Sequence, residues 1–204
     1  MGTKCAGSGP IFIGHGRLDM GLELSGSAGM LYKTLSAAVY GIDASIIEVE
    51  VDVSGIKTNE DYFHTVGLPE AAVRESRDRV RAALKNCGYD IPPTHITINL
   101  APADIRKEGS GFDLPMALGI LGAYGGLNKK DLPDCLFVGE LSLDAGVRGV
   151  RGMLPIAIEA RGKKIPRLTV PELNAREAAM VGGFEIYPVK SPISLNLIKT
   201  NSSR

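Results

Sequence analysis

Two apolar–polar rhythms alternate along this chain. In ASIIEVEVDVSG, Ile47, Val49, Val51 and Val53 alternate with Glu48, Glu50 and Asp52. That period of two predicts a strand with one buried face and one acidic, solvated face. LYKTLSAAVYG precedes it across Gly41, Ile42 and Asp43, which predicts a hairpin. A third strand is expected over Asp61 to Val66. GLPEAAVRESRDRVRAALKNCGYD then switches to the helical period, with Val73, Ser76, Val80, Leu84 and Cys87 as its inner stripe. Pro69 suits its first turn and Gly88 its end.

The remaining pattern alternates strands and helices. HITINL reads as a strand, and a helix is expected from Phe112 or Asp113 to about Tyr124. That helix is apolar nearly all round, so it belongs inside the fold. Asp113 near its start is expected to accept hydrogen bonds from free amides. CLFVGELSL reads as a strand, LDAGVRG as a turn and Leu154 to Arg161 as a helix. RLTV, ELNAREAAMV and FEIYPV follow as strand, helix and strand, with a short helix from Ser191. The expectation is one α/β (α+β) domain with a mixed sheet over residues 30–190.

Residues 1–29 are rich in Gly and Ser and hold no sustained period, so they read as an expression leader with Met30 as the natural start. Residues 191–204 read as a short helix and tail.

Composition narrows the functions without choosing one. Of 204 residues, 23 are Lys or Arg and 23 are Asp or Glu, so no global charge favours nucleic acid or membrane. Cys5, Cys87 and Cys135 fit neither a disulfide framework nor a CxxC site, and His15, His64 and His95 lack ligand spacing. No apolar run approaches the roughly 18 residues of a membrane span. The cytoplasm is the expected location.

KEGSGFDLPMALGIL, at 107–121, raises the question of catalysis. Gly109-Ser110-Gly111 is too short for the G-x-S-x-G turn that raises a nucleophilic serine. Lys107 precedes the glycines, and no Walker A lysine follows them. Helix initiation explains residues 113–121; it leaves the polar lead-in ADIRKEGSG without a role.

A basic set is more suggestive. Arg74, Arg77, Arg81 and Lys85 are spaced by three, four and four, and share one helix face. Such a face can fork onto phosphates. Pairs Glu70–Arg74 and Glu75–Arg79 at i,i+4 support the other reading, a self-paired solvated face. Arg106, Lys107, Arg148 and Arg151 form a second candidate set for DNA. Arg161, Lys163, Lys164 and Arg167 read as a solvated helix exit.

Six long motifs in order carry a resemblance: GIDA, VEVDVSG, VGLPEAAVRESRDRVRAALKNCG, INLAPADIRKEGSGFDLPMALGIL, FVGELSLDAGVRGVRGMLP and TVPELNAREAAMV. Together they resemble the N-terminal domain of the magnesium-chelatase-related (ChlI-like) ComM/YifB-type proteins. The stretch IKTNEDYFHT departs from the shorter Pro/Ser-Phe segment of relatives.

The resemblance implies the fold of the Lon protease proteolytic domain and the RadA C-terminal domain, shared with the second domain of small-subunit ribosomal protein five. It implies that an AAA+ module carrying ATP and Mg follows, and that this chain is an N-terminal fragment with no cofactor of its own. The best-understood relatives are hexameric helicases that drive branch migration during natural transformation. The implied partners are the chain's own AAA+ module, other copies of itself in a hexamer, and single-stranded or branched DNA, with no membrane.

Lon-type proteases use a Ser-Lys dyad. Laying their helix on this one puts Gly111 at the nucleophile position with Ser110 one residue early. The lysine position falls among Val150, Arg151 and Gly152. Arginine, which stays protonated in proteins, cannot act as the base. The expectation is a vestigial, non-catalytic site around Ser110, Gly111, Arg151 and Gly152. The alternatives are a protein-interaction scaffold without DNA binding and a residual serine hydrolase.

Overall fold

A computed structural model describes residues 30–57, 62–89, 91–125, 127 and 134–192. The leader assigned to residues 1–29 lies outside the described residues, as does the tail after Pro192 into which the helix expected from Ser191 would run.

The hairpin forms as its alternation requires. Strand β1 (Met30–Tyr40) pairs antiparallel with β2 (Asp43–Lys57), from Met30 opposite Val53 to Tyr40 opposite Asp43. Only Gly41 and Ile42 make the turn. Ile47, Val49, Val51 and Val53 are buried, and Glu48, Glu50 and Asp52 face away. The acidic face is balanced by charge: Lys33 Nζ lies 2.8 Å from Glu48 and 2.7 Å from Glu50. Among the described residues no His, Cys, Asp or Glu cluster is arranged to hold a metal ion.

Strand β3 (Tyr62–Val66) is an edge strand parallel to β4 (Thr94–Ala101), which in turn pairs antiparallel with β2. Helix α1 (Ala71–Asn86) connects them. Its stop is a Schellman motif: Gly88 N–H donates to Lys85 O and Tyr89 N–H to Leu84 O. Pro69 stands outside the helix, because Glu70 is the N-cap, and it bridges to Lys107 instead.

Helix α2 (Asp113–Ala123) is buried along all eleven residues. It can lie flat on the hairpin because its sheet-facing positions are glycines. A Cβ on Gly119 would come within 2.4 Å of Val51, and one on Gly122 within 2.5 Å of the Tyr32 ring. Close approach, rather than amphipathic pattern, places this helix.

CLFVGELSL does not run as one strand. It splits into β5 (Cys135–Phe137) and β6 (Glu140–Leu141), and β6 forms a separate ribbon with β7 (Val147–Arg148). The split at Val138-Gly139 lets Gly139 O accept from Leu114 N at the start of α2. Helix α3 (Met153–Gly162), strand β8 (Arg167–Pro171), a 3₁₀ turn (Glu172–Asn174), helix α4 (Ala175–Ala179) and strand β9 (Glu185–Val189) complete the order.

The seven-stranded sheet runs β3-β4-β2-β1-β5-β8-β9, with four of its six pairings parallel. The fold is therefore mixed α/β. Alternate residues feed two cores. Val49, Ile98, Leu118 and Val80 meet on the α1/α2 side. Leu136, Leu168, Ile156 and Ala178 meet on the α3/α4 side.

Candidate functional site

The split after Phe137 and the glycine-rich loop before α2 enclose a cleft of about 540 Å³. Glu108, Ser110, Gly111, Glu140, Arg151 and Gly152 line it, with Val39 and Gly41 from the hairpin. Ser110, Gly111, Arg151 and Gly152, which the resemblance grouped as a vestigial site, thus share one cavity. Its hydrogen bonding ties the serine to an acid: Ser110 Oγ donates to Glu140 Oε2. Arg148, opposite Glu140 across the β6–β7 ribbon, places Nη1 3.5 Å from Oε1 of that carboxylate. No lysine or imidazole is among the described lining residues. The dyad lysine of Lon-type proteases therefore has no counterpart among the described lining residues.

A second concavity, of about 530 Å³, lies at the start of α1. Leu68, Pro69, Glu70, Ala71, Arg74 and Arg106 line it. The loop holding Arg106 is fixed there by backbone pairing, since Glu70 N–H donates to Lys107 O and Lys107 N–H to Leu68 O. Arg106 pairs with Glu70 and lies 3.7 Å from Glu108. Arg74 donates to Pro69 O at 3.4 Å.

The structure therefore rearranges the basic sets. Arg106 belongs with Arg74 at the second concavity, and Arg148 and Arg151 belong to the cleft. Arg77 and Lys85 are exposed on α1, with Arg77 3.1 Å from Asp78. Arg81 is half-buried, its guanidinium 5.7 Å from the Phe63 ring centroid. Lys107 is a correction: its side chain is fully buried and its ammonium donates to Pro102 O, so it presents no charge to a ligand at the surface. Burial lowers its pKa, with Asp104 opposing. A lysine three residues before a surface serine reads as exposed, and only the bridge to Pro69 turns it inward.

Both predicted i,i+4 pairs on α1 are also replaced. Glu70 is taken by Arg106, and Arg79 reaches Asp113 rather than Glu75. Arg79 Nε is 2.6 Å from Asp113 Oδ2 and Nη2 is 3.1 Å from Oδ1. Asp113 does not cap its own helix; its Oδ2 instead accepts Leu141 N–H at 3.1 Å. The sequence carried one sign of this arrangement, a serine at position 76 in the inner stripe of α1, whose Oγ accepts from Arg79.

A mixed α/β domain with a glycine-lined cleft and a basic concavity beside its long helix is the class these features define. The family model for subunit ChlI of Mg-chelatase matches residues 49–174, more than half of the chain, and the chain belongs to that family. It is 44% identical over 152 residues to competence protein ComM of Haemophilus influenzae, covering 74% of this chain and 29% of that protein. It is 44% identical over 149 residues to the uncharacterized protein YifB of Escherichia coli, covering 72% of this chain and 28% of that one. An uncharacterized Mycobacterium tuberculosis protein is 42% identical over 162 residues, covering 79% and 31%. The chain spans under a third of the length of these relatives.

Proposed function

We propose that this chain is a non-catalytic accessory domain of a Mg-chelatase-related AAA+ ATPase, serving its assembly and its engagement of DNA. The observation that carries the DNA half is the grouping of Arg74 and Arg106 around one concavity, with Arg77 and Lys85 exposed on the same helix. Forked guanidinium groups on a ridge suit phosphates, which have no base identity. The similarity to a protein named for competence agrees with a DNA-handling parent. ATP and Mg would be taken by the ATPase module.

The cleft supports the non-catalytic half. Ser110 donates to Glu140, and the segment that the resemblance aligns with the dyad lysine holds Val150, Arg151 and Gly152 in the same cleft, with no lysine. The test is a titration of the 204-residue chain against labelled single-stranded and branched DNA. With three phosphates contacted, affinity for a single strand falls roughly twenty-fold between about 50 and 200 mM salt. Arg74→Glu/Arg106→Glu abolishes that binding. Salt-insensitive binding, or none, refutes DNA engagement by this domain.

A further inference from the structure

The turn into α1 holds Leu68 in a conformation that leucine rarely adopts. Its φ is +54°, in the left-handed region that favours glycine and, among other residues, asparagine and aspartate. Neighbouring contacts keep it there. Gly67, with φ of +94°, lies so close to β4 that a Cβ would run into Leu100 O. Leu68 O accepts Lys107 N–H, and Glu70 N–H donates to Lys107 O, so the backbone is fastened on both sides of Pro69. The side chain is not delivered to the core by this geometry: it is 57% exposed and lines the concavity of Arg74 and Arg106. Glycine or asparagine would suit the backbone better, and burial does not reward the leucine. Its place is explained by what it presents to a ligand.

What it presents is an apolar ledge beside a cation. Arg74 donates to Pro69 O at 3.4 Å, next to Leu68, and forms no ion pair among the described residues. Glu70 lines the same wall, and its charge is met by Arg106. The concavity, about 530 Å³, falls within the range of sites that take a small ligand. In a duplex the bases are stacked inside, and only phosphates and groove edges reach a protein. A single strand can turn a base out of its stack and lay the base face on a side chain while a phosphate meets a guanidinium.

We propose that this concavity takes one unpaired nucleotide of a single strand, with the base against Leu68 and Pro69 and the phosphate on Arg74. The proposal rests on the DNA reading above and adds to it a contact with the base, which phosphate binding alone does not give.

Fluorescence anisotropy of the 204-residue chain tests it with two labelled probes of equal length: oligothymidylate, and the same sugar–phosphate strand without bases. The parent is expected to bind the abasic strand more weakly by about five-fold or more. Leu68→Gly and Leu68→Asn, both suited to φ of +54°, are expected to bring oligothymidylate down to the abasic level. Arg74→Glu is expected to weaken both strands. Equal affinity of the parent for the two strands overturns the proposal and leaves the phosphate reading standing, as does a ratio unmoved by both Leu68 variants. Absence of binding to either strand overturns both. Displacement of oligothymidylate by thymidine monophosphate at equal nucleotide concentration would assign the concavity to free nucleotides and overturn the strand. Circular dichroism checks that both Leu68 variants fold.

Discussion

Arg79 grips Asp113 with two nitrogens, and the carboxylate so held also accepts the amide of Leu141, the neighbour of Glu140. One ion pair therefore joins the flank of α1, the first turn of α2 and the ribbon that carries the acid of the Ser110 cleft. Asp113 is fully buried, and burial pushes its carboxyl above the ordinary range while Arg79, Ser76 and Leu141 oppose that rise.

Removing one partner strands the other. Asp113→Ala is predicted to cost about 3 kcal/mol in urea or thermal unfolding, because the Leu141 amide loses its acceptor and Arg79, only 22% exposed, keeps only Ala72 O and Ser76 Oγ as partners. Arg79→Met/Asp113→Leu is predicted to recover most of that loss. A single variant as stable as the parent would show that the pair does not hold α1 to α2.

Lys107 gives a pH signature. Its folded pKa is depressed by burial, so the unfolded chain binds more protons between that value and the ordinary 10.5. Stability from this residue therefore rises with pH through that window, and the penalty is fully present below it. Compared with Lys107→Met, which fills a similar volume, the parent is predicted to gain stability as pH is raised toward 10.5. Parallel curves for the two proteins would contradict a buried, charge-penalised lysine.

The thiols differ in access. Cys135 is buried, and burial pushes its pKa up to about 11, with Thr169 and Arg167 opposing. At neutral pH it is predicted to resist alkylation until the chain unfolds, while half-buried Cys87 reacts slowly. Site-resolved mass spectrometry after iodoacetamide treatment checks the order; labelling of native Cys135 ahead of Cys87 would contradict the core placement of β5.

An active-site phosphonate is predicted to leave Ser110 unmodified, and Ser110→Ala to change no turnover of ester or peptide substrates. No lysine or imidazole is among the described residues lining the cleft to form the Lon-type dyad with that serine. Stoichiometric labelling lost in Ser110→Ala would restore the hydrolase reading.

Much of this was legible in local pattern, and the reason is physical. The alternation of Ile47 to Val53 and the stripe of Val73, Val80 and Leu84 each report a buried face, which neighbouring residues alone encode. The whole-apolar 113–123 segment announced burial, although the glycines at 119 and 122 that set its depth gave no periodic signal. Ser110, Gly111, Arg151 and Gly152 were grouped by resemblance, and the fold brings them to one cavity.

Contacts between distant segments were not legible. The Pro69–Lys107 bridge buries one basic residue and delivers its neighbour Arg106 to Arg74, across more than thirty positions of sequence. Asp113 looked like a cap because local donors were the only partners the sequence offered, whereas Arg79 arrives from another helix.

We propose that the domain engages DNA through α1 without performing chemistry of its own. Fluorescence anisotropy with labelled single-stranded and branched DNA, at low and at physiological salt, tests it most directly. Arg74→Glu/Arg77→Glu and Arg148→Glu/Arg151→Glu variants run alongside the parent. Salt-sensitive binding by the parent is expected, lost in the α1 variant and retained in the cleft variant. Absence of binding at low salt, or binding undiminished in Arg74→Glu/Arg77→Glu, would contradict it.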